Sequence, residues 1–270
     1  MSRGLGEVLY LFSDVDGTLI TDDGIIPDKN FEAIRRFTAE GGRFSLATGR
    51  VLVSTRALAA SLGVNAPCIL YNGALIYDYQ TGRTLHQAFL PSSFRSDLAE
   101  IMHRFPFLRV MVALLEGNFE VGARVCQPHN PVYAKADELT KPWVKVLLVV
   151  PDRAQKRPVM QWITEILRPE GAAVTSSSDW FIEILPAGCS KGNGIRLFCG
   201  LMKAPADAVA VIGDYYNDWE MLREARHAAC PMQAPDEIKK LCGDIVCPVE
   251  EGAVADYINR ILKQRLPVGQ

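Results

Sequence analysis

The chain has 270 residues, 49% hydrophobic and 22% charged, and its 29 Lys and Arg against 31 Asp and Glu leave a net charge of −2. That length holds one large domain or two ordinary ones, and the balanced charge, without any block of like sign, speaks against the basic face of a nucleic-acid binder. The longest apolar runs, such as VLLVV at 146–150, fall far short of the ~20 residues that span a bilayer, and the residues after Met1 do not read as a signal peptide.

In chain order, short apolar runs alternate with helical-period segments, the pattern of β-α-β units around a parallel sheet buried on both faces. EVLYLFS (7–13) predicts the first strand. The segment from Asp28 sets Phe31, Ile34 and Phe37 on one helical face and stops at Gly41-Gly42, where glycine accepts the left-handed cap conformation. RFSLAT (43–48) predicts a second strand, residues 51–62 a helix stopped by Gly63, and CILY (68–71) a third strand.

The texture then changes. YDYQTG reads as a hairpin turn, and Phe94, Leu98, Ile101, Met102 and Phe105 mark a helix. Strands follow at LRVMVALLE (108–116), NFEVGA (118–123) and WVKVLLVV (143–150), then a helix through Met160, Ile163 and Leu167 and a strand at WFIEIL (180–185). Neighbouring strands of this kind predict an α+β module inserted into the α/β one. The β-α alternation resumes with a helix over 191–202, a strand at DAVAVIG (207–213), a helix from Asn217 and a last helix from about Gly252. The expected division is a doubly wound, mainly parallel α/β core over 1–82 and 187–270 with an inserted cap over 83–186.

Ligands of open α/β sheets bind beyond the carboxyl ends of the strands, and each predicted core strand ends in polar or glycine residues. The first gives Asp14-Val15-Asp16-Gly17-Thr18, the second Thr48-Gly49-Arg50, the third Asn72-Gly73, and the late strand Gly213-Asp214 followed by Asn217-Asp218. Carboxylates converging there repel one another unless a cation sits among them, and an all-oxygen set without His or Cys favours a hard ion, Mg²⁺ in a cell. Such an ion is commonly bound together with a phosphate. Thr48, backbone amides and Lys191, at the start of a helix, are suited to hold that phosphate.

These residues, in this order, resemble the four motifs of the haloacid dehalogenase superfamily: D-x-D-G-T (Asp14, Asp16, Gly17, Thr18), Thr48 after an apolar strand, Lys191, and G-D-x-x-N-D (Gly213, Asp214, Asn217, Asp218). The ~100-residue insert before Lys191, with TGR at 48–50 and NGA at 72–74, is similar to the large α/β cap of the Cof-type hydrolases. The resemblance implies that Asp14 attacks phosphorus to give an aspartyl phosphate. Asp16 would protonate the leaving alkoxide and later deprotonate water. It implies Mg²⁺ held by Asp14, the main chain of Asp16 and Asp214, with Asp218 and Asn217 in support. Thr48 and Lys191 would bind the transferring phosphoryl group, and Gly17, Thr18, Gly49, Arg50, Asn72 and Asn217 would line the phosphate and substrate site.

The expected activity is a Mg²⁺-dependent phosphatase on a small phosphorylated metabolite such as a sugar phosphate, in the cytoplasm, with neither nucleic acid nor membrane as partner and the oligomeric state open. A sugar-phosphate mutase would pass the phosphoryl group to a second hydroxyl instead of water. A phospho-acceptor signalling domain shares the acidic pocket but is usually nearer 120 residues, and it lacks an acid two residues after the acceptor. Seven scattered cysteines, Cys68, Cys126, Cys189, Cys199, Cys230, Cys242 and Cys247, form no C-x-x-C pair and read as buried thiols in a reducing compartment. His86, His103, His129 and His227 show no metal-ligand spacing. Two departures from the family pattern bear on specificity and loop geometry: Tyr215-Tyr216 inside G-D-x-x-N-D, and Gln233 where asparagine is frequent.

Overall fold

The structure is a computed structural model that describes residues 9–122, 130–133, 135–167 and 171–265. Residues 7 and 8 of the first predicted strand, Ala123, Cys126 and His129 lie outside the described residues.

The first half of the core alternates β1 (Tyr10–Ser13), α1 (Asp28–Ala39), β2 (Arg43–Leu46), α2 (Leu52–Leu62) and β3 (Cys68–Leu70), then turns through the hairpin β4 (Leu75–Asp78) and β5 (Arg83–Gln87). The insert contributes α3 (Phe94–Arg104), β6 (Arg109–Leu114), β7 (Gly117–Val121), β8 (Val132–Tyr133), β9 (Lys145–Val149), α4 (Arg153–Leu167), β10 (Ala173–Ser178) and β11 (Phe181–Leu185). The chain closes with α5 (Lys191–Met202), β12 (Val209–Ile212), α6 (Trp219–Glu224), β13 (His227–Pro231), α7 (Asp236–Lys239), β14 (Asp244–Val246) and α8 (Ala253–Arg265).

The five-stranded sheet runs β14-β13-β12-β1-β2, every pair parallel. Side chains of successive strand residues point to opposite faces, so Leu11 packs with Phe44, Ile212 and the α8 residues Tyr257 and Ile258, whereas Phe12 packs with Val211, Phe198 of α5 and Met221 of α6. Both faces are covered, which is why these strands read as continuous apolar runs. Phe12 and Phe198 meet edge to face at 4.8 Å, and each such fully buried side chain contributes on the order of 1.5–3 kcal/mol. Asp28 in the first turn of α1 and Arg36 in its last complement the helix dipole.

Among the described residues β3 pairs with the parallel sheet through one isolated bridge, Ala47 to Ile69, and belongs to a separate antiparallel sheet, β3-β4-β5. A domain cut between residues 82 and 83 therefore passes through the β4–β5 hairpin and splits this sheet, whereas a cut after Gln87 leaves it whole.

In the insert, the order β10-β11-β9-β6-β7-β8 is antiparallel except for β7–β8. One face carries Val110, Val112, Val146, Leu148, Ile182 and Ile184 against Leu98 and Ile101 of α3 and Val159 and Ile163 of α4. The other face is turned to the core: Ala113, Val144 and Leu185 join the core's own apolar cluster, and Tyr71 donates from its hydroxyl to the Leu114 carbonyl at 2.9 Å. The insert thus roofs the ends of β1, β2 and β12.

Candidate active site

The Asp14 N–H extends the β1 ladder by donating to the Ile212 carbonyl at 2.9 Å, so the parallel pairing of β1 with β12 fixes this carboxylate at the sheet's edge. Lys191 begins α5 behind the N-cap Ser190, whose hydroxyl accepts from the Asn193 N–H at 3.0 Å. From there its ammonium reaches Asp14 Oδ1 at 2.5 Å and Asp218 Oδ1 at 2.7 Å. The side chains of Lys191 and Asp218 are wholly buried. Asp218 spends its other oxygen on the backbone N–H groups of Asp214, at 3.1 Å, and Tyr215, at 3.3 Å. Thr18 donates to Asp214 Oδ1 at 2.9 Å, which leaves Oδ2 facing Gly17. A Cβ on Gly17 would stand 2.5 Å from that oxygen, so only glycine leaves the approach open.

Carboxylate oxygens of Asp14, Asp214 and Asp218 all lie within 4.8 Å of one another. Burial drives the Asp14 carboxyl well above its ordinary range against the pull of Lys191. Burial and the neighbouring Asp218 push Asp214 up to about 7. Burial alone would lower Lys191, but Asp14 and Asp218 outweigh it and hold the ammonium charged. Three carboxylates answered by one ammonium leave excess negative charge in a dry site, and an all-oxygen donor set of this kind suits a hard divalent cation.

A second group surrounds the loop after β2. Thr48 is buried, accepts from the Arg50 N–H at 3.1 Å through its hydroxyl, and gives its carbonyl to the Asn72 N–H at 3.0 Å. Asn72 takes a positive φ of 51° and accepts on its side-chain oxygen from Asn217 Nδ2 at 3.4 Å. Gly49 lies against it, where a Cβ would stand 3.0 Å from Asn72 Oδ1.

The structure thus gathers Asp14, Asp214, Asp218, Lys191 and Thr18 into one cluster and Thr48, Gly49, Arg50, Asn72 and Asn217 into an adjoining one. The Asp16 carboxylate lies outside the three-carboxylate cluster: it is exposed and accepts from Arg50 Nε at 2.9 Å and Nη2 at 2.5 Å. Asp22 and Asp23 are exposed.

Three residues beside the site, Lys145, Glu183 and Asp179, went unread in the sequence, and a fourth, Gln233, stood out there only as a departure from the family pattern. Lys145 of β9 donates to the Gly49 carbonyl at 2.7 Å and pairs with Glu183 of β11, which also accepts from Asn72 Nδ2 at 2.9 Å. The available signal was a lone charge inside each of two apolar strands, WVKVLLVV and WFIEIL. Gln233 donates to the Gly17 carbonyl at 3.0 Å and accepts from the Val249 N–H at 3.3 Å, so the departure from asparagine ties down the D-x-D-G-T loop. Asp179 accepts from the Tyr215 hydroxyl at 2.7 Å across the interface between insert and core.

The model of the haloacid dehalogenase-like hydrolases matches residues 11–258. A 5-amino-6-(5-phospho-D-ribitylamino)uracil phosphatase of Bacillus subtilis is 24% identical, with 92% of this chain and 96% of the relative covered. A phosphoglycolate phosphatase of Methanopyrus kandleri is 23% identical over 94% and 97%. A solved structure from Streptococcus mutans superposes with a TM-score of 0.85 at 20% identity, covering 95% of this chain and 99% of that one. The chain belongs to the haloacid dehalogenase-like hydrolases, in their Cof-type branch. Its class is that of the family's phosphatases, hydrolases of phosphoric monoesters.

Proposed function

We propose that this chain is a Mg²⁺-dependent phosphatase that hydrolyses small polyhydroxylated phosphomonoesters through an aspartyl phosphate on Asp14. The observation that carries the reading is the arrangement of buried Asp14, Lys191 and Asp218 with half-buried Asp214 under the insert. Asp14 and Asp214, with the main chain of Asp16, would hold the ion. Asp218, both of whose oxygens are already engaged, would set the positions of Lys191 and of the loop carrying Asp214. The ion supplies positive charge against which a phosphoryl dianion can approach two carboxylates.

In the first half-reaction an Asp14 oxygen forms a bond to phosphorus, the ester P–O bond breaks, and the leaving alkoxide takes a proton from Asp16. In the second, water gives a proton to Asp16 and attacks phosphorus, releasing inorganic phosphate and restoring Asp14. Lys191 and Thr48 hold the charge that develops on the phosphoryl oxygens. To act as donor, Asp16 exchanges Arg50 for the leaving-group oxygen, a rotation open to an exposed side chain. Arg50, freed by that rotation, is left to meet the substrate.

The catalytic core would comprise residues 1–87 and 187–270, and the substrate-selecting cap 88–186, the first cut placed to keep β5 with β4. Polyol phosphates are the favoured class because the Bacillus subtilis relative acts on a ribityl phosphate. Among the described residues no helix is long and apolar enough to cross a membrane. A reducing cytoplasm is the favoured compartment because the seven scattered cysteines form no C-x-x-C pair. The test is phosphate release with Mg²⁺ over a panel of phosphorylated metabolites for wild type and Asp14→Asn. The variant should fold normally and retain less than about a hundredth of the wild-type turnover. Higher retention in a contaminant-free preparation removes Asp14 as nucleophile, and an isomerised sugar phosphate in place of free phosphate makes the enzyme a mutase.

A further inference from the structure

Among the described residues, two ionised side chains of the cap descend onto the loops that surround the phosphoryl site. Lys145 and Glu183 stand on the adjacent strands β9 and β11, on the face opposite the helices of the cap. Each is more than nine-tenths buried. Their partners are the Gly49 carbonyl and the Asn72 amide, which flank Thr48 in space. An apolar pair of equal volume would seal a cap against a core at lower cost than two desolvated charges, so the identity of these residues calls for a partner that an apolar pair could not serve.

The hydrogen bonding shows what that partner is. An ammonium has three donors, and Lys145 commits two, to the Gly49 carbonyl and to Glu183 Oε2. Glu183 Oε2 also takes the Asn72 amide, whereas among the described residues Oε1 takes no hydrogen bond. A spare N–H therefore sits beside a spare carboxylate oxygen, in a nearly dry place, next to the loop that binds phosphate. A hydroxyl accepts one hydrogen bond and donates another, and this pair offers it both.

We propose that Lys145 and Glu183 form the leaving-group subsite of the cap and select phosphomonoesters whose leaving group carries a hydroxyl near the ester oxygen, as sugars and sugar alcohols do. The inference rests on the phosphatase reading above and adds to it the residues that choose the substrate. A leaving group lacking the hydroxyl must bury the spare donor and acceptor unpaired, which is the strong form of discrimination. The neighbouring Met111 and Leu147, on the same face of the cap sheet, present apolar surface to the carbon chain.

The test compares kcat/KM for polyol phosphates of three to six carbons with that for alkyl phosphates of equal length, in wild type and in the double variant Lys145→Met/Glu183→Gln. The double variant removes both charges together, so neither is left buried without its partner. Wild type should prefer the best polyol phosphate over its alkyl counterpart by at least about tenfold, and the double variant should reduce that ratio to about threefold or less, mainly through KM. Glu183→Gln alone, nearly isosteric, gives the same comparison if the double variant does not fold. A wild-type enzyme indifferent to the hydroxyls overturns the inference, and so does a variant whose two rates fall in parallel, the outcome of a purely structural strut. Failure of the phosphatase reading looks different: no phosphate is then released even from p-nitrophenyl phosphate, and both proposals fall together.

Discussion

Asp218 is fully buried, and it is tolerable there because both of its oxygens have donors: one faces Lys191 and the other two backbone N–H groups. Asp14 and Asp214 are less completely answered, and burial raises both, Asp214 to about 7. A carboxyl raised above its unfolded value of about 3.8 favours the folded state below that value, and the contribution is lost as pH rises through the folded value. The metal-free protein should therefore lose stability from Asp214 as pH rises from about 4 through about 7, with Asp14 adding a loss of the same sign. Mg²⁺ binds the ionised carboxylates and displaces their protons, so its stabilising effect should grow over the same interval. Thermal melts with and without Mg²⁺ at about pH 5.5 and pH 8 check this. A melting-temperature gain no larger at the higher pH would exclude Asp14 and Asp214 as ion ligands.

At the scale of elements, the site depends on how closely α5 approaches the turn at 71–73. Gly73 has φ +99° and a Cβ there would stand 2.1 Å from the carbonyl oxygen of Ser190, the N-cap of the helix that presents Lys191. Gly73→Ala carries the penalty of positive φ, about 1 kcal/mol, and an overlap with backbone that can relax only by moving the α5 N-terminus, roughly 1–3 kcal/mol more. Gly63, the left-handed cap of α2, has nothing within 4 Å of the same added atom, so Gly63→Ala should cost only the first of these. Denaturant unfolding of the two variants should show the difference. Gly73→Ala should in addition lower kcat by moving Lys191, and equal losses of stability in the two would show that α5 yields without strain.

The same elements show what a sequence can and cannot disclose. β1, β2, β12 and α5 were legible because two-sided burial makes unbroken apolar runs, and their polar ends marked the site. β13 (HAACP) and β14 (DIV) were not read, being five and three residues long and without alternation. β10 (AVTSSS) was missed because it is a polar strand at the edge of its sheet. CILY reads as a third core strand but belongs to the antiparallel sheet β3-β4-β5, since only tertiary pairing tells a parallel core strand from one arm of an antiparallel hairpin sheet. Lys145, Glu183 and Gln233 act through partners 96, 111 and 216 residues away, and no local pattern encodes such distances.

For the molecule as a whole, cap and core meet on the active-site side through Lys145 and Glu183 and, on the outer side, through Tyr215 and Asp179. Behind this outer contact lies a cleft of about 1140 Å³ lined by Lys156, Arg157, Tyr215, Tyr216 and Trp219. Tyr215 follows the carboxylate Asp214, and its N–H helps to hold Asp218, so a cap that shifts at Asp179 pulls on the loop that carries both. Asp179 is in turn paired with Arg153, whose guanidinium stacks over Trp180 at 4.5 Å, and the β10–β11 turn arrives at the interface already braced. Tyr215→Phe keeps the ring and removes only the 2.7 Å hydrogen bond, a net loss of roughly 0.5–1.5 kcal/mol from the closed state. Substrate binding must then supply that free energy, so KM should rise by about 2–10-fold while the chemical groups stay in place. If cap opening limits turnover, kcat should rise modestly at the same time, because the weakened contact also speeds release. Initial-rate kinetics of the variant decide it: an unchanged KM would mean that the Tyr215 contact contributes nothing to holding the cap closed.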